Sequence, residues 1–288
     1  MTTCVLRFAV PPERLEYDVS AYMNKDVGPT WPQESCKVIL NDLKPEPQSP
    51  EHAEPLMDQL DSSGFAVLKN KSQTLGELQF QEEWNAAYLE ETAQMIREQL
   101  GADEVYVWNS VSRSADPAIN TAYGNDHLQH KAIKGLQFGT TVRPVASGVH
   151  VDQDGPNSRR MCRGAAGEDV FDRFARVQQL NVWRPLKGPV TCKPLAVCDG
   201  RTVSDKAKNV HMGLFGTRVV VHYDENQKWY YIKRQQPDEV FILKIFDSHV
   251  LPGGAEFTPH TGVDELNGAD GPETPRQSIE VRLVACYH

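Results

Sequence analysis

Several features typical of secreted, membrane and nucleic-acid-binding proteins are missing from this sequence. It has only six cysteines in 288 residues, none in a C-x-x-C pair, and a net charge of −9 without a cluster of Lys or Arg. The apolar N-terminal stretch is interrupted by Arg7 and ends at Pro11 and Pro12. We therefore expect a cytoplasmic protein with reduced thiols, no signal peptide, and no nucleic-acid or membrane partner. The sequence leaves open whether the chain forms a homodimer.

The chain is long enough for one domain with a substantial core. At 288 residues, it can bury roughly three quarters of its unfolded surface. We predict a single domain over residues 1–288 that begins with a Pro-rich, irregular N-terminal arm, residues 1–60. A region of helix and strand, residues 61–135, is expected to support a β-rich core formed by residues 136–288.

A long amphipathic helix is predicted before the β-rich core. Large side chains recur at helical spacing within residues 76–100, namely Phe80, Trp84, Tyr88, Thr92, Ile96 and Leu100. A metal-binding or partner-binding use of this stripe is an alternative, but packing against a sheet is the commoner role of such a face. We therefore assign the stripe to the core.

Strand-like segments dominate the rest of the chain. Residues 63–69, 104–109 and 135–143 are predicted strands, and a polar loop is predicted after Asp152. Six more predicted strands follow that loop: residues 178–184, 194–198, 217–223, 228–233, 239–246 and 278–285. The pattern predicts a mainly β protein with flanking helices and a double-stranded β-helix core, a jelly-roll or cupin-like architecture.

Two His-x-Asp pairs are candidates for a metal site. One is His150 with Asp152, and the other is His222 with Asp224. Alternate side chains of a strand share a face, so each pair can supply two ligands of the facial triad of non-heme Fe(II) enzymes. A double-stranded β-helix carries this pair near the end of its second core strand. Six predicted strands follow Asp152 and only about three follow Asp224, so we favour the first pair.

A third histidine and a cation for a carboxylate complete this prediction. His249 and His260 are equally well placed by count alone. His260 is favoured by the order His-x-Asp, then His, then Arg276 and Ser278 at the start of the last predicted strand. Because Arg and Ser two residues apart face the same way, both can bind one carboxylate, as the C5 end of 2-oxoglutarate requires.

Blocks of this sequence resemble one known family. The blocks are residues 151–154, 176–186, 188–190, 194–199, 229–231, 237–240, 244–248, 259–261 and 276–282. The most specific are Asn-Val-Trp-Arg-Pro and Arg-x-Ser-Ile-Glu-Val-Arg. They resemble the microbial hydroxylase/desaturase family typified by a cephamycin-pathway protein and fungal gibberellin desaturase. The resemblance spans about residues 60–286 and extends to fungal secondary-metabolite dioxygenases, including meroterpenoid endoperoxide-forming enzymes.

The resemblance implies an Fe(II)- and 2-oxoglutarate-dependent dioxygenase that consumes O2. It also implies that His260, in the family's His-Thr block, is the third ligand rather than His249. The predicted metal-binding and catalytic residues are therefore His150, Asp152 and His260, and the predicted co-substrate-binding residues are Arg276, Ser278 and Arg184.

Arg184 has two candidate roles. It is a candidate to orient substrate or co-substrate, and the alternative is a buried ion pair with Asp199 or Asp247.

Gly262 and Val263 depart from the family pattern, in which a small residue and an aromatic residue are usual. The sequence therefore leaves open the shape of this pocket wall.

The substrate class follows from the segments expected at the barrel mouth. Residues 147–156 and 250–263 carry few paired charges, which favours a small, mostly hydrophobic secondary metabolite with a few oxygens. Hydroxylation, desaturation and endoperoxide or ring formation all stay open. The rival functions are a cupin-like barrel that only binds a small molecule and a non-oxidative metalloenzyme, neither of which needs the Arg276 and Ser278 pair.

Overall fold

Two β-sheets with helices on the outside make up the described part of the protein. The computed structural model describes residues 1–16, 31–44, 55–77, 86–119, 142–213, 216–266 and 274–288. The strands in these residues are β1 (Thr2–Ala9), β2 (Gln33–Asp42), β3 (Phe65–Lys69), β4 (Glu104–Ser114), β5 (Arg143–Pro144), β6 (His150–Val151), β7 (Arg176–Pro185), β8 (Leu195–Cys198), β9 (Lys208–Gly213), β10 (Gly216–Val221), β11 (Trp229–Tyr231), β12 (Glu239–Asp247), β13 (His260–Gly262), β14 (Glu265–Leu266) and β15 (Gln277–Tyr287). The α-helices are α1 (Leu56–Ser63), α2 (Ala86–Leu100), α3 (Gly155–Ala166) and α4 (Val170–Arg173).

A large sheet and a small sheet enclose the main core. The large sheet has the order β14-β1-β2-β11-β8-β13-β6-β10-β9, and the small sheet has the order β3-β12-β7-β15-β4-β5. A parallel bridge between Arg7 and Gly148 links β1 to the segment before β6, so the large sheet curls back on itself. Trp183 and Phe241 of the small sheet share one buried cluster with Val197 of the large sheet. The prediction of a mainly β jelly-roll with flanking helices is confirmed.

The strands predicted after Asp152 are present. All six correspond to described strands, namely β7, β8, β10, β11, β12 and β15. The sequence pattern predicts neither β9 nor β13. β13 has only three residues, and its position is set by pairing with β6 and β8 on either side.

The interpretation of residues 1–60 as an irregular arm is wrong for two segments. β1 and β2 form an antiparallel pair inside the large sheet, with Cys4 opposite Val38. Leu6 and Phe8 alternate with the exposed Arg7, so one face of β1 packs into the core. The Pro-rich composition of the surrounding residues hides this alternation, and part of the predicted arm, residues 17–30 and 45–54, lies outside the described residues.

Helix α2 covers the outer face of the small sheet, as its stripe predicts. Tyr88 and Ile96 are fully buried and share a cluster with Leu180 and Val182 of β7. The predicted helix over residues 76–100 is confirmed from Ala86 onward, while Phe80 and Trp84 lie outside the described residues. None of the helices in the described residues is long and apolar enough to cross a membrane.

The polar loop predicted after Asp152 is instead helix α3. The Asp154 carboxylate caps its N-terminus by accepting a hydrogen bond of 3.0 Å from the Asn157 backbone N–H. Gly167 ends the helix at a positive φ of 105°, a conformation that glycine adopts at little cost. The segment has few strongly apolar residues, and these caps add to the burial of Cys162 and Ala166 in a core cluster with Val170 and Phe174.

Arg184 faces away from the space between the sheets, contrary to the prediction that it binds co-substrate. Trp183 points into that space, so its neighbour Arg184 points toward α2. Its guanidinium donates to the Tyr88 hydroxyl at 2.9 Å, to the backbone oxygens of Asn70 and Pro237 at 2.8 and 2.7 Å, and to Asn70 Oδ1 at 2.7 Å.

These bonds use the donors of Arg184 to join β7, α2 and two loops. The alternative ion pair with Asp199 or Asp247 is absent too, since those carboxylates pair with Arg201 and Arg176. Arg184 is a structural residue.

Replacing Arg184 should destabilise the protein without changing its ligand sites. Arg184→Met leaves four oxygen acceptors without their donor, and we expect a loss of about 2–4 kcal/mol in the free energy of unfolding. Chemical denaturation measures this loss. Arg97→Met on the outer side of α2 is the matched control and should change stability by less than about 0.5 kcal/mol. Equal effects of the two substitutions would contradict the structural role.

Candidate metal centre

The pairing of β6 with β13 brings two histidines side by side. His150 lies directly opposite His260 in the antiparallel register, and their ring centroids are 4.7 Å apart. Asp152 follows just after β6, with Oδ1 3.6 Å from His150 Nε2 and Oδ2 3.9 Å from His260 Nε2. One ligand atom from each of the three residues lies within 4.8 Å of the others. Two imidazoles and one carboxylate are the donor set of a facial Fe(II) site.

Backbone carbonyl groups fix the orientation of both imidazole rings. His150 Nδ1 lies 2.6 Å from the Gly148 carbonyl oxygen, and His260 Nδ1 lies 3.0 Å from the Thr258 carbonyl oxygen. A carbonyl oxygen can only accept, so each Nδ1 carries the proton and donates it there. Each Nε2 therefore keeps its lone pair on the side of the carboxylate, as a metal ligand requires.

Asp152 is held by two side chains of the small sheet. Arg282 Nη2 donates to Oδ1 at 3.0 Å, and Asn181 Nδ2 donates to Oδ2 at 2.5 Å. Arg282 is held in turn by the Glu280 carboxylate, 2.9 Å from its Nε. The carboxylate of Asp152 thus has one defined orientation, while each of its oxygens retains a lone pair for a metal ion.

The charge states of the cluster suit a divalent cation. Burial opposes ionisation of Asp152, but the adjacent Arg282 guanidinium and the two histidines hold the pKa of its carboxyl well below the usual range. Burial and the neighbouring His150 lower the pKa of His260, against the opposing effects of Asp152 and Glu280. At neutral pH, Asp152 is an anion and His260 is neutral, which are the protonation states in which they bind metals.

The other candidate histidines lie elsewhere. His249 is exposed in the turn after β12 and is not part of the cluster. His222 is buried, with Nδ1 2.8 Å from the Ala9 carbonyl oxygen and Nε2 2.6 Å from Asn209 Oδ1. Both of its ring nitrogens are engaged, so His222 is a hydrogen-bonded core residue rather than a ligand. Asp224, its partner in the second His-x-Asp pair, lies in an exposed turn.

A buried pocket leads from the cluster to the start of β15. It is lined by Arg113, Ala146, His150, Asp152, Trp183, Leu195, His260, Thr261, Gly262, Arg276 and Glu280. The Arg276 guanidinium lies over the Trp183 ring, and its Nη1 donates to the Lys193 carbonyl oxygen at 2.7 Å. Among the described residues, Arg276 Nε and the Ser278 hydroxyl are buried and have no hydrogen-bond partner. Unsatisfied buried donors are costly, so these two groups fit a carboxylate ligand.

Arg276 lacks a carboxylate partner among the described residues. Burial and the nearby Arg113 lower the pKa of its guanidinium to about 9, against the opposing charge of Glu280. An anion that reaches Arg276 would relieve this cost and restore the usual basicity. The pocket therefore has a metal-binding set at one end and a buried cation at the other.

Gly262 keeps the pocket open beside Arg276. A Cβ atom at this position would lie 2.2 Å from Val145 Cγ1 and 3.5 Å from Arg276 Nη1. Any other residue would therefore displace Val145, whereas the distance from the Cβ atom to the guanidinium is that of an ordinary van der Waals contact. The departure from the family pattern at Gly262 has a steric reason in this chain.

Sequence reasoning missed three residues of this site: Arg113 and Glu280, which line the pocket, and Asn181, which holds Asp152. The two-residue spacing along a strand could have identified two of them. Asn181 precedes Trp183 by two residues, and Glu280 lies between Ser278 and Arg282 at the same spacing. Alternation along a strand puts each of them on the inner face. Arg113 had no such signal, because its place depends on the register between β4 and β15.

Comparisons with known proteins agree with this site. A family model described as "oxidoreductase/YMDC permease-like domain" matches residues 11–286. The chain is 31% identical over 205 residues to the Fe(II)/2-oxoglutarate-dependent dioxygenase nvfI of Aspergillus novofumigatus, covering 68% of this chain and 65%, just under two thirds, of that relative. It is 28% identical over 250 residues to the hydroxylase/desaturase CTB9 of Cercospora beticola, covering 79% and 72%.

A solved structure supports the same assignment. The iron and alpha-ketoglutarate-dependent endoperoxidase NvfI superposes with a TM-score of 0.73 at 26% identity, over 99% of this chain and 98% of that one. The family model covers nearly the whole chain, and nvfI and this structure are both named as iron- and 2-oxoglutarate-dependent enzymes. The chain therefore belongs to this oxidoreductase family, that of the microbial Fe(II)/2-oxoglutarate-dependent hydroxylases and desaturases.

Proposed function

We propose that this protein is a non-heme Fe(II)/2-oxoglutarate-dependent dioxygenase that oxidises a small secondary metabolite. The observation that carries the proposal is the pocket with His150, Asp152 and His260 at one end and the unsatisfied donors of Arg276 and Ser278 at the other. Both sheets contribute to it, which supports treating residues 1–288 as one dioxygenase domain. The names of the relatives support the same reaction class.

Different residues of the pocket have different roles in the proposed reaction. His150, Asp152 and His260 would hold Fe(II) by two Nε2 atoms and one carboxylate oxygen, and leave the remaining positions open. When bound, Fe(II) supplies the redox chemistry in which 2-oxoglutarate and O2 become succinate and CO2 and one oxygen atom is available to oxidise the substrate. Arg276 and Ser278 would bind the C5 carboxylate and so orient the 2-oxo group toward the metal.

Other side chains protect and shape the site. Trp183 and Leu195 are buried in the pocket wall and exclude water from it. Arg282 and Asn181 keep Asp152 ionised and oriented. These contacts keep the ligand set in place before any ligand arrives.

The rival functions explain the pocket less well. A barrel that only binds a small molecule has no use for three convergent metal-ligand side chains. A non-oxidative metalloenzyme has no use for buried, unsatisfied Arg276 and Ser278 donors at the far end of the same pocket. A 2-oxo acid with a terminal carboxylate uses both features, which favours the dioxygenase.

We propose that the substrate is mostly hydrophobic with a few oxygens. A second cavity of about 300 Å³ shares Ala146 and His150 with the metal pocket. Much of its lining is polar, from Arg7, Gln33, Ser147 and Arg218, beside the apolar Trp31 and Val220. These two arginines differ from the nearly uncharged rim expected from sequence, and they suit hydrogen bonding to oxygens on an apolar molecule. Hydroxylation, desaturation and endoperoxide or ring formation all stay open.

A cytoplasmic location is part of the proposal. All six cysteines are free thiols, four of them buried, which supports a reducing compartment. The homodimer stays an open question that light scattering of the purified protein answers.

The first test concerns the metal ligands. His260→Ala removes one of three ligands, and we expect loss of most bound Fe(II), because two protein ligands hold the ion poorly. Anaerobic metal analysis of the purified protein measures the ratio of iron to protein. His249→Ala is the matched control and should retain wild-type iron, since His249 is exposed. Retention of iron by the His260→Ala protein together with its loss on His249→Ala would show that the third ligand is misassigned.

The second test concerns Arg276. Arg276→Gln removes a charged, two-pronged donor, and the dissociation constant of 2-oxoglutarate should rise by roughly 10 to 150 fold. Anaerobic calorimetry with the Fe(II)-loaded protein measures this constant. Arg282 of β15 is bound to Asp152 and Glu280. Arg282→Gln should therefore reduce iron retention more than it reduces 2-oxoglutarate affinity. Unchanged co-substrate affinity in Arg276→Gln would move the carboxylate site elsewhere.

The third test concerns the substrate. We expect succinate release coupled to oxidation of neutral polyketide or terpenoid compounds, because Trp31 and Val220 can pack against an apolar skeleton while the polar side chains of the same cavity can donate to its oxygens. Mass spectrometry of product and succinate in one assay measures the coupling. Efficient turnover of a free amino acid or peptide, without a response to lipophilic compounds, would contradict this substrate class.

A further inference from the structure

A second arginine lies at the carboxylate end of the metal pocket. Arg113 belongs to β4, and it lies directly opposite Ser278 in the antiparallel register of β4 and β15. Cross-strand partners of this kind project to the same side of the sheet with Cβ atoms roughly 5 Å apart. Arg113 and Arg276 both line the pocket. The Arg276 backbone carbonyl also accepts a hydrogen bond of 2.8 Å from Ala115, close to Arg113 along β4.

The described residues anchor the Arg113 side chain without saturating it. Its Nη1 donates to the Pro144 carbonyl oxygen at 2.8 Å, which fixes the guanidinium at this end of the pocket. A guanidinium has five N–H donors, so this bond leaves others for a ligand. Pro144 belongs to β5, which pairs in parallel with β4 next to Arg113. The anchor therefore positions the group as well as satisfying part of it.

The charges at this end do not balance within the described residues. The pocket wall carries Arg113 and Arg276, and the carboxylate nearest to them along β15 is Glu280. Glu280 is already bound to Arg282, which also holds Asp152. The repulsion between the two guanidiniums contributes, after burial, to the lowered pKa of Arg276. Two like charges that face one buried space are unfavourable unless an anion lies between them.

We infer that Arg113 is a second binding residue for the terminal carboxylate of the co-substrate, acting together with Arg276 and Ser278. The inference rests on the proposed function and adds a residue to its co-substrate site. In this arrangement, the two guanidiniums approach one carboxylate from neighbouring strands, and the Ser278 hydroxyl donates between them. The site then selects 2-oxo acids with an anionic end more strongly than a single arginine can.

A purely structural role for Arg113 makes a different prediction. If Arg113 only anchors Pro144, its loss should weaken every ligand of the pocket to a similar extent. If it binds the carboxylate, only ligands with that carboxylate should be affected. A pair of 2-oxo acids that differ in this group separates the two roles, and 2-oxopentanoate is 2-oxoglutarate with a methyl group in place of the terminal carboxylate.

The experiment measures the preference for 2-oxoglutarate over 2-oxopentanoate by anaerobic calorimetry with Fe(II)-loaded protein. We expect Arg113→Gln to reduce this preference by roughly 10-fold, because hydrogen bonds to charged groups are among the strongest in proteins. Arg276→Gln should reduce it at least as much. The double variant should lose less than the product of the two factors, since both side chains bind one group. Arg97→Gln, on the outer side of α2, is the matched control and should keep the wild-type preference.

A second variant and a second measurement test the role of Arg113. Arg113→Lys retains the charge without the planar fork and should lose only part of the preference, which gives a second variant if Arg113→Gln does not fold. The rise in melting temperature caused by 2-oxoglutarate should be smaller in both variants than in wild type.

Different outcomes would contradict the role of Arg113 and the dioxygenase proposal. Equal weakening of both acids in Arg113→Gln, or an unchanged preference, would overturn the role of Arg113 and leave the dioxygenase proposal intact. A wild-type protein that has no preference for 2-oxoglutarate would overturn both.

Discussion

The antiparallel pairing of β6 with β13 is the constraint on which the metal centre depends. It places His150 opposite His260 and brings Asp152 to the same point. Neither strand is long enough to hold its position alone, since β6 has two residues and β13 has three. Their neighbours β8 and β10 fix the register from either side. The ligand cluster is thus a property of the large sheet as a whole.

The small sheet supplies the polar contacts that complete the site. Along the start of β15, Arg276, Ser278, Glu280 and Arg282 alternate with the apolar residues Ile279 and Val281, which pack under α2. One strand therefore connects the carboxylate end of the pocket to Asp152 at the metal end. The outer residues anchor the strand by burial, while the inner residues line the pocket or hold Asp152. A shift of one residue in register would exchange these two sets.

The buried cations of the described residues differ in how they are satisfied. Arg176 and Lys244 form a compact network with Asp61 and Asp247 away from the pocket, and Arg184 donates four hydrogen bonds to neutral acceptors. Arg276 has no carboxylate partner in the described residues, and its Nε has no acceptor there. Because burying an uncompensated cation is costly, this contrast sets Arg276 apart from the structural arginines.

Sequence alone determined the β-rich architecture, helix α2, the His150 and Asp152 pair, and the order in which His260, Arg276 and Ser278 follow, because strand and helix periods are local properties of the chain. Tertiary structure decided what is not local. It rejected His222, whose two ring nitrogens bond to Ala9 and Asn209, and it turned Arg184 toward α2. It also turned part of the expected arm into β1 and β2, and brought Arg113 opposite Ser278. These outcomes depend on which distant strands pair and in which register, and that is settled only when the whole chain packs.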